Sequence, residues 1–198
     1  MPQAIKTFVR WVDAINHRIG RITMYLIFAM MGVLLWSSIS KTFFTPTLWT
    51  LETAQFLMVA YYIVGGPYSI QLGSNVRMDL FYGDWSHKTK ACVDAVTVFF
   101  LLYFLGVLLY GGLGSTAYSL GYWGDEPLVF FGGLIKAFFT GGFDAAGEVI
   151  GRMEQSPTAW RPLLWPIKSV MCFGLIMMIL QAFAEFLRDI GRIRGEEL

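Results

Sequence analysis

Histidine and cysteine are nearly missing from this chain: two of each stand among 198 residues, and charged residues make up only 15%. His17 and His87 lie in the flanks of apolar runs, not inside them. A haem held between membrane helices wants two imidazoles facing each other inside a bundle, so haem binding is not expected. A metal site needs several His, Cys or carboxylate groups converging, and no such spacing occurs. Cys92 and Cys172 fall at opposite depths of their apolar runs, which argues against a disulfide. A net charge of +1 gives no electrostatic footprint for nucleic acid. There is no P-loop, dinucleotide fingerprint or nucleophile motif, no internal repeat and no low-complexity tract. No enzyme, catalytic residue or cofactor is expected.

What the chain does have is apolar length. Hydrophobic residues make up 56% of it and aromatic residues 17%. A helix needs about 20 mostly apolar residues to cross the hydrocarbon of a bilayer. Four runs reach or approach that length: Ile22–Ser40, Leu48–Leu72, Ala95–Tyr122 and Leu163–Leu187. The predicted fold is therefore an all-α integral membrane protein, a single membrane domain over 1–198 with four transmembrane helices at 22–40, 48–72, 95–122 and 163–187. The first run follows a charged leader and has no small-residue cleavage site just after it, so it reads as a retained anchor.

Basic residues give the orientation. Lys6, Arg10, Arg18 and Arg21 precede the first span; Arg77, Lys88 and Lys90 lie between spans two and three; Arg188, Arg192 and Arg194 follow the last. The link between spans one and two has only Lys41, and the long link offsets Lys136, Arg152 and Arg161 with five acids. Basic flanks stay in the cytoplasm, so both termini are expected inside.

The leader 1–21 places Phe8, Val12, Ile15, Ile19 and Ile22 on one helical face. That pattern suits an amphipathic helix lying on the inner membrane surface, or one packed on the protein's own cytoplasmic face. The link 123–162 carries two helical patterns, Pro127–Thr140 and Phe143–Glu154, the second with Glu148 and Arg152 spaced for an i,i+4 pair. The first is short for a span and interrupted by Lys136, so both are expected to lie at the outer surface. Gly65-Gly66-Pro67 predicts a kink in span two. Glu52 and Asp94 are placed in first turns as caps, Lys168 can snorkel to the outer headgroups, and Glu185 with Arg188 can pair near the inner end of span four. The spans hold no central acidic or basic relay.

Glu52 early in span two, Asn75-Val-Arg77-Met-Asp79 just after it, Trp165-Pro-Ile-Lys168 opening the last span and Gln181 near its end form a pattern. It resembles the small membrane (Q, DctQ-like) subunit of tripartite ATP-independent periplasmic (TRAP) transporters through all four spans. Asn75 replaces the histidine expected before Val-Arg-x-Asp, and the 123–162 link is longer than the family's usual connector. The resemblance implies a small permease subunit of a secondary transporter in the bacterial inner membrane. It would scaffold a large transmembrane permease subunit during sodium-driven uptake of an organic acid delivered by a periplasmic substrate-binding protein. Glu52, Arg77, Asp79, Trp165, Lys168 and Gln181 are carried over as shape- and interface-determining positions, with Arg77 and Asp79 pairing with each other or with a lipid headgroup. The rival reading is an accessory or cytochrome-like subunit of a membrane oxidoreductase, which a reduced-minus-oxidised spectrum would reveal.

Overall fold

In the computed structural model, which describes residues 3–73 and 87–194, all extended elements are helical. They are α1 (Gln3–Thr23), α2 (Leu26–Phe43), α3 (Thr50–Gln71), α4 (His87–Ser119), α5 (Pro127–Val149) and α6 (Trp165–Arg194). α1 passes into α2 through a tightened turn at Met24 and Tyr25, where Met24 N–H donates to Gly20 O and Tyr25 N–H to Ile22 O.

Four of the helices stand in a row. α2 packs on α3, α3 on α6, and α6 on α4. Among the described residues α2 and α4 share no packed seam, so the row does not close into a ring. α1 crosses one end of the row, resting on α3 and α6, while α5 leans on α4 at the other. The deepest apolar packing joins α4 to α6: Leu105 and Leu175 are buried, with Leu102, Leu109, Met171 and Met178 against them. α3 meets α6 most closely at Gly174, where an added Cβ would lie 2.5 Å from Ile63 Cγ2 and 2.9 Å from the Ile63 carbonyl oxygen. Only a residue without a side chain permits that approach, the usual way helix backbones come together in lipid. α2 is fastened to α3 by hydroxyls. Thr50 Oγ1 donates to Ser37 Oγ at 3.1 Å, and Ser40 Oγ lies 3.2 Å from Thr47 Oγ1.

The outward sides are strongly apolar. Phe28, Leu35 and Trp36 on α2 and Phe99, Phe100, Tyr103 and Phe104 on α4 are exposed. A patch of that extent is untenable in water and ordinary in hydrocarbon.

Four helical stretches of the described residues are long and apolar enough to cross a membrane: Gln3–Phe43, Cys92–Ser119, Pro127–Val149 and Trp165–Ile193. The number agrees with the sequence expectation, but the set does not: Pro127–Val149 qualifies and Thr50–Gln71 does not. α3 is diluted by Glu52, Gln55, three tyrosines and the Gly-Gly-Pro segment. α5 is largely apolar, with Lys136, Asp144 and Glu148 as its charges, but it breaks at Gly142, whose φ of 72° and ψ of −154° leave the helical region. Glycine takes such angles at no steric penalty. The two link helices expected from the sequence are thus the two arms of α5, the second ending at Val149 and not at Glu154. α3 runs on through Pro67 to Gln71 with the proline buried.

α1 is amphipathic, and its buried line runs through Val9, Val12, Asn16, Gly20 and Thr23. Ile22, placed on the apolar face from the sequence, is exposed. Val9 and Val12 pack with Ala184, Leu180 and Leu187 of α6, so α1 rests on the protein itself along this line.

Candidate functional site

The buried polar side chains of the described residues gather at the two ends of the row. At the end bearing α1, Asp13 and Asn16 project from α1 toward Gln181 of α6. Asn16 Nδ2 donates to Gln181 Oε1 at 2.6 Å, and Gln181 Nε2 donates to Asp13 Oδ1 at 3.1 Å. Gln181 is fully buried, so each of these bonds replaces one it could otherwise make only with water. Arg188, two turns further along α6, donates to both Asp13 and Glu185. Gln71 at the end of α3 joins through Nε2 to the Asp13 carbonyl at 3.2 Å. Three helices therefore meet in one polar node. Arg192 pairs with the buried Asp189 at 2.9 Å one turn beyond.

At the opposite end the segment 150–164 folds back across the helix termini. Gly151 N–H donates to Leu120 O at 2.9 Å and Glu154 N–H to Ser119 O at 3.0 Å, both at the end of α4. Gly121 permits this, since a Cβ there would meet the Arg152 backbone nitrogen at 2.6 Å. Ser156 Oγ donates to Glu52 Oε1 at 2.7 Å, and the Thr158 hydroxyl donates to the same oxygen. Glu52 is buried, and its second oxygen has no partner among the described residues. Lys168 Nζ lies 2.6 Å from Glu154 Oε2, donates to Ser115 O at 3.2 Å and sits 5.9 Å from the centre of the Tyr118 ring. Glu52 of α3 and Lys168 of α6 thus hold the same segment from two helices.

Several sequence expectations change here. Glu52 lies in the first turn of α3 as expected, but its carboxylate makes no capping hydrogen bond and faces the 150–164 segment. Asp94 lies two turns into α4, which begins at His87. The Lys168 ammonium is engaged within the protein by Glu154 and the Ser115 carbonyl. Arg152 makes no pair with Glu148, because α5 ends at Val149 and the extended Ile150 carries the chain off the helix. The pairing of Glu185 with Arg188 is present. Trp165 opens α6 half-exposed and takes no side-chain part in either cluster among the interactions described. Arg77 and Asp79 lie outside the described residues.

The family of tripartite ATP-independent periplasmic transporters, DctQ component, matches residues 30–192. The chain belongs to this DctQ family, the small membrane subunit of TRAP transporters. No curated protein and no solved structure matches the chain. The DctQ match begins inside α2, so α1, with Asp13 and Asn16, precedes it and is bound to it by the polar node. The match includes the whole 150–164 segment, and with it both Glu52 and Lys168.

Glu154, Ser156, Thr158, Asp13 and Asn16 were not picked out as site residues in the sequence. Of these, Asn16 left a signal: it recurs at helical spacing with Val9, Val12 and Gly20. Replacing Glu52 with leucine removes the acceptor shared by Ser156 and Thr158. Tryptic cleavage after Arg152 is expected to quicken about fivefold, the effect of easing local opening by about 1 kcal/mol. Cleavage at the unaltered rate would mean the segment is held by other contacts.

Proposed function

We propose that this DctQ subunit is a scaffold for the large transport subunit of its TRAP system, in sodium-driven uptake of an organic acid delivered by a periplasmic binding protein. The observation carrying this reading is the distribution of polarity. The buried polar side chains of the described residues brace the two ends, while the Leu105–Leu175 region between them is packed apolar. Such a row suits a fixed wall along which a partner moves.

The proposed topology places α2, α3, α4 and α6 across the bacterial inner membrane with both termini inside. The α1 end collects Lys6, Arg10, Arg18, Arg21, Arg188 and Arg192, and basic flanks are retained on the cytoplasmic side. α3 sits within the row, between α2 and α6, and its 22 residues rise about 33 Å, enough to cross. α5 lies at the outer surface. The arm before its break rises only about 22 Å, less than the hydrocarbon thickness of about 30 Å.

The test is affinity purification of the chain from its native membrane in mild detergent, followed by mass spectrometry and by uptake assays in vesicles. A stoichiometric, larger polytopic protein and sodium-dependent organic-acid uptake requiring both chains are expected. A monodisperse chain that recruits no such protein in several detergents would refute the scaffold reading.

A further inference from the structure

Between the 150–164 segment and the end of α4 lies an open groove of about 850 Å³, whose lining includes Tyr118, Trp123, Arg152, Glu154, Ser156 and Arg161. Its charge is one-sided. Glu154 is taken by Lys168. Arg152 and Arg161 are exposed, and neither guanidinium has a hydrogen bond or acidic partner among the described residues.

Arg161 is also held in an unusual way. Its φ is 49°, in the left-handed region, and it precedes Pro162. A residue before proline with such an angle is strained, and the strain persists only where neighbouring contacts over-determine it. Those contacts are present. Ser156 N–H donates to Pro162 O at 2.9 Å, and Gln155 bridges to Leu163. The arginine therefore projects from a pinned turn.

We propose that this groove docks a carboxylate-bearing segment on the surface of the soluble periplasmic component. The inference rests on the subunit reading and the orientation given above. Unpaired guanidiniums select carboxylates through paired, charge-assisted hydrogen bonds. Arginine beside exposed Trp123 and Tyr118 is also the composition that dominates binding energy at protein interfaces. The position favours a soluble partner over a lipid. The segment forming the groove is tied to the ends of α3, α4 and α6, so it covers the end of the row and not the sides that hydrocarbon wets.

The test uses the complete membrane complex in discs of neutral phosphatidylcholine, titrated with the purified soluble binding protein of the same transporter. Joint replacement Arg152→Glu and Arg161→Glu should weaken binding at least about tenfold and flatten its salt dependence. The neutral pair Arg152→Gln and Arg161→Gln should give a smaller loss of the same sign. Lys136→Glu, on α5 outside the groove, should change affinity by less than about twofold. A complex that assembles at full yield yet binds equally well with both arginines reversed overturns the docking proposal alone. Arginine dependence found only in discs containing phosphatidylglycerol would assign the pair to lipid and also overturn it. Failure of the unaltered chain to recruit a large subunit overturns this proposal together with the reading beneath it.

Discussion

Valine at position 174 is expected to part α3 from α6. Its branched Cβ would fall 2.5 Å from Ile63 Cγ2 and about as close to the Ile63 backbone, which cannot yield as a flexible side chain does. Overpacking of this kind costs about 2–3 kcal/mol. The seam concerned is central to the row, so the readouts are the melting temperature of the purified chain and the yield of the complex, both falling sharply. Gly106→Val is the matched control, because nothing lies within 4 Å of a Cβ there and the position is exposed. Gly112→Ala should fall between them, since its nearest neighbour is the flexible Met171 methyl at 3.2 Å. Equal stability of all three variants would contradict the observed α3–α6 approach.

Arg188→Met is expected to release α1 from the row. The arginine is the cation shared by Asp13 and Glu185, and its loss leaves two half-buried carboxylates facing each other. Removing one partner from such a cluster costs more than the net worth of the pair, here about 2–3 kcal/mol after allowing for partial exposure. Amide hydrogen exchange should rise throughout α1 while the α4–α6 seam stays protected. Adding Asp13→Asn should recover part of the loss by removing one of the stranded charges. An unchanged exchange pattern in the single variant would show that apolar contacts alone, Val9 and Val12 on Ala184, hold the helix.

The helical, membrane-spanning class of this chain was legible because it depends on run length, and run length is a local property. The count of apolar helices was legible too; which runs qualify was not. The difference lies in where the helices begin and end: α5 runs past Thr140 to Val149 as one longer apolar stretch, while Glu52, Gln55, three tyrosines and Gly-Gly-Pro fall inside α3. In α1 the aliphatic residues pointed to one face and the packed face turned out to lie beside it. Asn16 and Gly20 occupy that face because Gln181 and Tyr68 approach there, and no periodicity of hydrophobic residues announces a polar or small neighbour. In the sequence Glu52 and Lys168 stand as separate features. Their common engagement spans more than a hundred positions along the chain and runs through Ser156, Thr158 and Glu154, residues of ordinary character in a link. Gln181 likewise gained its meaning from Asp13 and Asn16, more than 160 residues away.

The crossing of α1 at one end and of the 150–164 segment at the other has a mechanical meaning. A row one helix thick resembles planks laid edge to edge: stiff along their length and weak against sliding past one another. Two battens, one nailed across each end, turn loose planks into a panel. Here the nails are Asp13, Asn16 and Gln181 below, and Glu52 and Lys168 above. Cutting either batten leaves each plank intact but lets the panel shear.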